Sequence, residues 1–324
     1  MLRTALIAAA LSVATALPAN EPPKTPTAPP TAQLRAATPT TPPAIFAGGQ
    51  WRPLGGLKPE AKEEKQNARS LKHPTLEPET RVPATKHTLN PPRVAPTLDQ
   101  NGYSCCASAA PVQCQFSAAG VNAPDQLQLS VCDLYYRVNG GSDQGNTLYA
   151  AQQALSSAGV CSTTTATLWG VLDPQHKPGW QQDRKTHSPG KITYCETLEE
   201  LNNELDKQHP AIFGCDVNES FAPNEAGIIG PRKPTRGDGH CLFTDAYSKV
   251  GTQTYYHIQN SWGTQWGING RAQLDSSWLN LNDYGAYSFS PPQSPPTCTG
   301  PSCPCNQPKP RWMIPYRWYE LHAD

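Results

Sequence analysis

Charge of neither sign is in excess in this chain. Across 324 residues, 26 Lys and Arg stand against 26 Asp and Glu, and the sequence pI is near 7.0. With no basic field, nothing in the composition draws the protein to nucleic acid or to an anionic membrane surface. Long hydrophobic runs are scarce as well. The apolar run from Ala5 to Ala16 is too short to span a bilayer, mean hydropathy is -0.56, and no later stretch is long and apolar enough to cross a membrane. No cysteine follows the first run closely, which argues against a lipid-anchored form. Residues 20 to about 92 have little aromatic content and no sustained apolar periodicity, so they bury too little surface to offset the entropy of ordering.

What is present divides the chain into four parts. Arg3, the apolar run and Ala14-Thr15-Ala16 read as the charged region, core and cleavage site of a signal peptide over residues 1–16, which implies a secreted, periplasmic or cell-surface protein without stable membrane association. Residues 17–92 are a Pro-rich disordered linker or a pro-segment. Within them Pro59 to Leu71 is charged enough for a short helix but has few apolar residues to dock it. Residues 93–290 carry the folded domain, and residues 291–324 a Pro/Cys-rich tail with Cys298, Cys303 and Cys305. The Cys303-x-Cys305 spacing is tight for zinc and no second pair stands near it, so disulfides that pin the tail are the better reading, and no metal is expected. Eleven cysteines in an exported chain point to bridges, and the odd count leaves one thiol over: five disulfides and one reactive cysteine.

The folded domain changes character midway. Leu129 to Tyr136 offers an apolar face that Asn139-Gly140-Gly141 breaks. Asn146 or Thr147 then caps a helix that Gly159 ends, so residues 98–163 are mainly helical. After Thr164 a short helix, Leu198 to Lys207, leads to the buried strand PAIFGCDV. Further strands follow at His240 to Tyr247, Thr254 to Gln259 and Arg271 to Leu274, making residues 164–290 a β lobe. Two lobes imply a cleft between them, where ligands bind.

The chemistry gathers at Asp99 to Ala110. Cys105 and Cys106 follow turn-forming residues and precede an alanine-rich helix start, where the macrodipole favours thiolate over thiol. A thiol nucleophile also needs a base, an orienter for the base and an oxyanion donor. His240 in GDGHCLF, Asn260 in YYHIQNSWGTQWGING and Gln100, six residues before Cys106, supply one of each. His209 and His257 lack the glycine-flanked strand start of His240.

NSWGTQWGING, together with Gly239-His240 and Gln100 to Cys106, resembles the active-site set of the papain-like cysteine peptidases in its usual order over about residues 95 to 290. His240 and Asn260 lie roughly 130 and 150 residues beyond the thiol, as in that family. LSVCDLYYR with Gly140-Gly141 resembles the family's LS…NGG segment. The resemblance implies an α+β, papain-like two-lobed fold, with a helical N-terminal lobe, an antiparallel β-barrel-like C-terminal lobe and the active site in the cleft between them. It implies Cys106 as nucleophile, His240 as base and later acid, Asn260 as orienter, Gln100 as oxyanion donor and Trp262 as a shield over the His240–Asn260 bond. Gly140, Gly141, Gly145 and Gly239 would line the substrate cleft. A monomer acting on protein or peptide substrates without a cofactor follows. Three departures stand out. Tyr103 replaces the family's first cysteine, Ala107 replaces an aromatic, and Pro111 falls where the helix should continue, which predicts a kink or a short first segment. Cys105 is a second candidate nucleophile. A catalytically inactive module that binds peptides or cell-surface polymer, and a thiol acyl transferase, are the alternative functions.

Overall fold

The computed structural model describes residues 56–71, 95–119, 128–168, 172–235 and 237–292, and the backbone of four short strands before residue 88. The expected signal peptide and all three tail cysteines lie outside the described residues. The four strands are β1 (Gln33–Arg35), β2 (Ala44–Ala47), β3 (Gln50–Pro53) and β4 (Lys86–His87). The first three pair antiparallel with one another.

Small side chains make the central helix possible. Helix α2 (Cys106–Ala118) follows α1 (Lys62–Arg69) in the chain and has no solvent face. Its run of Ala107, Ser108, Ala109 and Ala110 lets neighbouring elements approach on all sides. Pro111 lies inside this helix and neither shortens nor splits it. The proline removes one backbone hydrogen bond, but burial on every side holds the helix together across the gap.

Two capped helices complete this lobe. α3 (Val131–Asn139) starts at Ser130, whose hydroxyl accepts from the Asp133 N–H at 3.0 Å, and stops at Gly140 in the left-handed region. α4 (Leu148–Ala158) starts at Thr147, whose hydroxyl accepts from the Ala150 N–H at 3.1 Å. Of the two candidate caps, Thr147 is the one used. Next comes α5 (Trp180–Thr186), which carries Arg184 back to the fully buried Asp133 of α3.

Asp133 is also bonded by His176 Nε2 at 2.7 Å and the Cys161 N–H at 3.0 Å. Burial alone would push its pKa up, but Arg184, the Cys161 N–H and His176 together hold it below the usual carboxylate range. Asp133, Cys161 and His176 bring ligand atoms within 4.8 Å of one another. The Arg184 guanidinium already supplies the positive charge there, so the cluster reads as structural. Replacing Arg184 by Met is expected to cost about 3 kcal/mol by leaving a buried charge short of its cation, measured as a lower denaturation midpoint at neutral pH. Because the folded pKa of Asp133 is depressed, the stabilisation is full above the ordinary carboxylate pKa of 3.8 and is lost as pH falls below it, so wild type and variant converge in acid.

The second lobe is built on β5 (Ile192–Cys195), α6 (Leu198–Asp206), β6 (Ala211–Val217), β7 (Ile228–Ile229), β8 (Asp238–Val250), β9 (Gln253–Gln259), β10 (Arg271–Asp275), α7 (Leu281–Tyr284) and β11 (Ala286–Phe289). The strands lie in the order β5-β11-β6-β8-β9-β10-β7, with β4 added alongside β8. All pairs are antiparallel except β10 with β7. Alternation along β8 joins the two lobes: Cys241 and Phe243 face the α2 cluster, and Leu242 faces the second core of Phe213, Tyr256, Trp262 and Trp278. The chain therefore has the expected α+β two-lobed fold.

Within residues 17–92, read as a Pro-rich disordered linker or a pro-segment, lie β1 to β4 and α1, the helix falling inside the charged stretch Pro59 to Leu71. One expectation is corrected. The five disulfides do not form among the described residues: no disulfide joins any of the eight described cysteines, all of which are buried. Cys105, Cys106, Cys114 and Cys241 pack in one hydrophobic core and Cys195 and Cys215 in another, as small apolar side chains. The odd cysteine count therefore says nothing about which thiol is reactive.

Candidate active site

His240 enters the site from the start of β8, opposite Cys215 of β6, and Asn260 from the turn that ends β9. His240 Nε2 lies 2.8 Å from Asn260 Oδ1. That same oxygen accepts the Ser261 N–H at 2.7 Å, which orients the amide with its oxygen toward the ring. Nε2 therefore carries the proton, and Nδ1 is left as the basic nitrogen. Trp262 lies against the imidazole with ring centroids 4.7 Å apart, and Phe221 closes on it edge-on at 6.3 Å. Burial pushes the His240 pKa down to about 4 against the opposing pull of the Asn260 bond, so the ring is neutral in this state.

The two thiols face different surroundings. Cys106 is the first residue of α2, and its sulfur takes backbone N–H groups from Cys241, Ala107 and its own residue. Cys241 is the neighbour of His240 on β8. Cys105, the N-cap, stands near Asp143 and Cys132 instead. Burial pushes Cys106 up to about 12, against the lowering effect of those N–H groups. Cys105 is pushed well up by burial first, with Cys106 and Asp143 adding to it. Both thiols are thus protonated here.

Gln100 belongs to a stretch that crosses to the other lobe's turn. Its N–H donates to Ser261 O at 2.7 Å, and Gly263 N–H donates to Leu98 O at 2.9 Å. Its side-chain Oε1 accepts from the Ser261 hydroxyl at 2.6 Å, and Nε2 donates to Tyr103 O at 2.7 Å. The amide is gripped at both ends, and Nε2 has a second N–H to give. The loop before the thiol and the loop holding Asn260 are in effect one unit. Ser261 stands in the NSWG run, but its grip on Gln100 has no signal in the sequence beyond its place next to Asn260.

The glycines separate into two groups. Gly140 and Gly141 sit at the end of α3. Gly145, with positive φ, and Gly239 each lie so close to residues 56–57 that a β-carbon would collide with the Gly56 or Leu57 carbonyl. There Leu57 forms an isolated parallel β-bridge with Asn146. Lys58 N–H donates to Asn146 O and Asn146 N–H to Gly56 O, both at 3.0 Å, while Leu57 N–H donates to Gly239 O at 3.3 Å. A methyl group on Gly56 would stand 2.8 Å from Ser104 O. Residues 56–58 thus run between the backbone just before Cys106 and the residue before His240. Leu57 is 2% exposed, with its side chain over Gly214 beside Tyr284.

The chain then turns into α1, which docks without a broad apolar face. Thr147 Oγ1 donates to Glu64 Oε1 at 2.8 Å, Lys65 Nζ to Asn282 O at 2.5 Å and Arg69 Nε to Glu196 Oε1 at 2.5 Å, with Ala68 buried beneath. The sequence carries little signal of this docking, because the contacts are polar rather than apolar, and none of Asn146 as the bridge partner of Leu57.

The profile of the family described as "Papain family cysteine protease" matches residues 85–284. The chain belongs to the papain cysteine protease family. A cathepsin L-like proteinase of Fasciola hepatica is 30% identical over 84 residues, 25% of this chain and 26% of that protein's length. Among solved structures, xylellain, a cysteine protease from Xylella fastidiosa, is similar with TM-score 0.57 and 17% identity, covering 73% of this chain and 96% of its own. The digestive procathepsin L2 proteinase of Tenebrio molitor has TM-score 0.56 and 15% identity, covering 73% and 78%. At such identities these two structures speak for the fold. Residues 56–71 lie outside the family match.

Proposed function

We propose that the protein is an exported cysteine peptidase in which Cys106 is the nucleophile, His240 the base and acid, Asn260 the orienter and Gln100 an oxyanion donor, and that residues 56–71 are part of a pro-segment that covers the cleft. The 2.8 Å His240–Asn260 bond carries the reading, since it leaves Nδ1 as base on the strand against which Cys106 packs. The surroundings of Cys105, toward Asp143 and Cys132, favour Cys106 over it. Among the described residues no helix is long and apolar enough to cross a membrane.

Once the cleft is uncovered, His240 Nδ1 takes the Cys106 proton and the sulfur attacks the peptide carbonyl carbon. The oxyanion is held by the Gln100 Nε2 and Cys106 backbone N–H groups. Collapse breaks the C–N bond as His240 returns the proton to the leaving amine. Water, deprotonated by His240, then attacks the thioester, and the acid and the free thiol are regenerated. In the covered state the Cys106 thiol and the His240 imidazole are both neutral, as expected for groups sealed from water.

An epoxide or iodoacetamide probe, applied after the cleft is opened by limited proteolysis, is expected to label one site, which peptide mass mapping places on Cys106. Label confined to Cys105, or none at all, would overturn the assignment.

A further inference from the structure

Glu60 is the first acidic residue after the Leu57 bridge and is 4% exposed. Its Oε1 accepts from the Tyr287 hydroxyl at 2.6 Å and from the Tyr149 N–H in the first turn of α4 at 3.1 Å, and its own N–H donates to Asp283 O at 2.9 Å. Its Oε2 is buried with no hydrogen-bond partner. An orphan oxygen is tolerable as half of a neutral carboxylic acid and costly as half of a carboxylate. The groups facing it do little to hold a negative charge. β11 and β5 present the phenols of Tyr287 and Tyr194, both kept neutral because burial raises them. α1 presents Glu64, a like charge, and Lys65, whose ammonium donates to Asn282 O. α4 presents the Tyr149 N–H, and α7 the Asp283 carbonyl that takes the Glu60 N–H.

We infer that Glu60 makes the covering segment a proton-dependent latch, seated over the cleft in acid and released as pH rises through neutrality. The inference rests on the cleft-covering reading of residues 56–71. Burial raises the Glu60 pKa from 4.5 to about 7, opposed by the Tyr287 bond, so the seated segment binds a proton that the free segment releases at lower pH. Seating is therefore strongest below about pH 4.5, weakens progressively from there to about pH 7, and is weakest above it.

Hydrogen exchange on the full chain carrying Cys106→Ala, corrected for the intrinsic pH dependence of amide exchange, tests this without self-cleavage. Protection of residues 62–71 is expected to fall on the order of a hundredfold between about pH 5 and about pH 8, while α2 stays protected. In Glu60→Gln, which keeps the amide oxygen for Tyr287 and Tyr149 but has no charge to gain, protection stays at its acid level throughout. Glu64→Gln, which removes the neighbouring like charge, brings the seated Glu60 pKa closer to its free value, so the fall becomes shallower and is complete at lower pH. An unchanged wild-type profile, or an equal fall in Glu60→Gln, overturns the latch. Absence of protection in residues 62–71 at both pH values, with α2 intact, overturns the cleft-covering reading itself.

Discussion

Replacing Cys106 by serine is expected to abolish probe labelling and to lower peptide turnover by about a thousandfold or more, once the segment is removed from the cleft. An alcohol is far less acidic than a thiol, and a single imidazole whose proton sits on Nε2 toward Asn260 has little leverage on it. Sulfur and oxygen differ little in size, so the fully buried start of α2 should hold its shape. Cys105→Ser is the control: its sulfur faces Asp143 and Cys132, and activity should persist. Turnover that survives in Cys106→Ser and vanishes in Cys105→Ser would reverse the assignment of the nucleophile.

The second large effect concerns access. Leu57→Asp is expected to raise the rate of probe labelling of the intact chain on the order of a hundredfold at a fixed mildly acidic pH. Burying a leucine side chain is worth about 2 kcal/mol, and a carboxylate in its place, over Gly214 and beside Tyr284, would be desolvated without a partner. The segment loses its anchor while His240, Asn260 and Cys106 keep theirs. Labelling as slow as in wild type would mean that residues 56–58 do not limit access to the thiol.

These two expectations differ in how far the sequence foreshadows them. Asn260-Ser261-Trp262-Gly263, Gly239-His240 and Gln100 are legible because each is a short run whose residue types serve one purpose. The helix caps at Ser130, Thr147 and Thr197 are local in the same way, each a side chain meeting a backbone N–H three residues on. Pro111 shows where local reasoning stops, since packing around all of α2 outweighs one missing hydrogen bond. Cysteine arithmetic fails for a similar reason. A count says nothing about which sulfurs meet, and six of the described ones are spread over two cores.

By itself, then, the sequence determined the two-lobed fold and named the residues proposed to carry the chemistry, because periodicity and short motifs depend on neighbours along the chain. Tertiary structure alone decided what lies over those residues. Gly56 and Leu57 are unremarked in a proline-rich stretch and Glu60 is one charge in a short helical patch, and they acquire meaning only against Asn146, Gly239 and Tyr287, roughly 90 to 230 residues away. Whether a carboxylate there is solvated or buried depends on those distant partners, and so does whether the thiol it helps to cover is exposed or sealed.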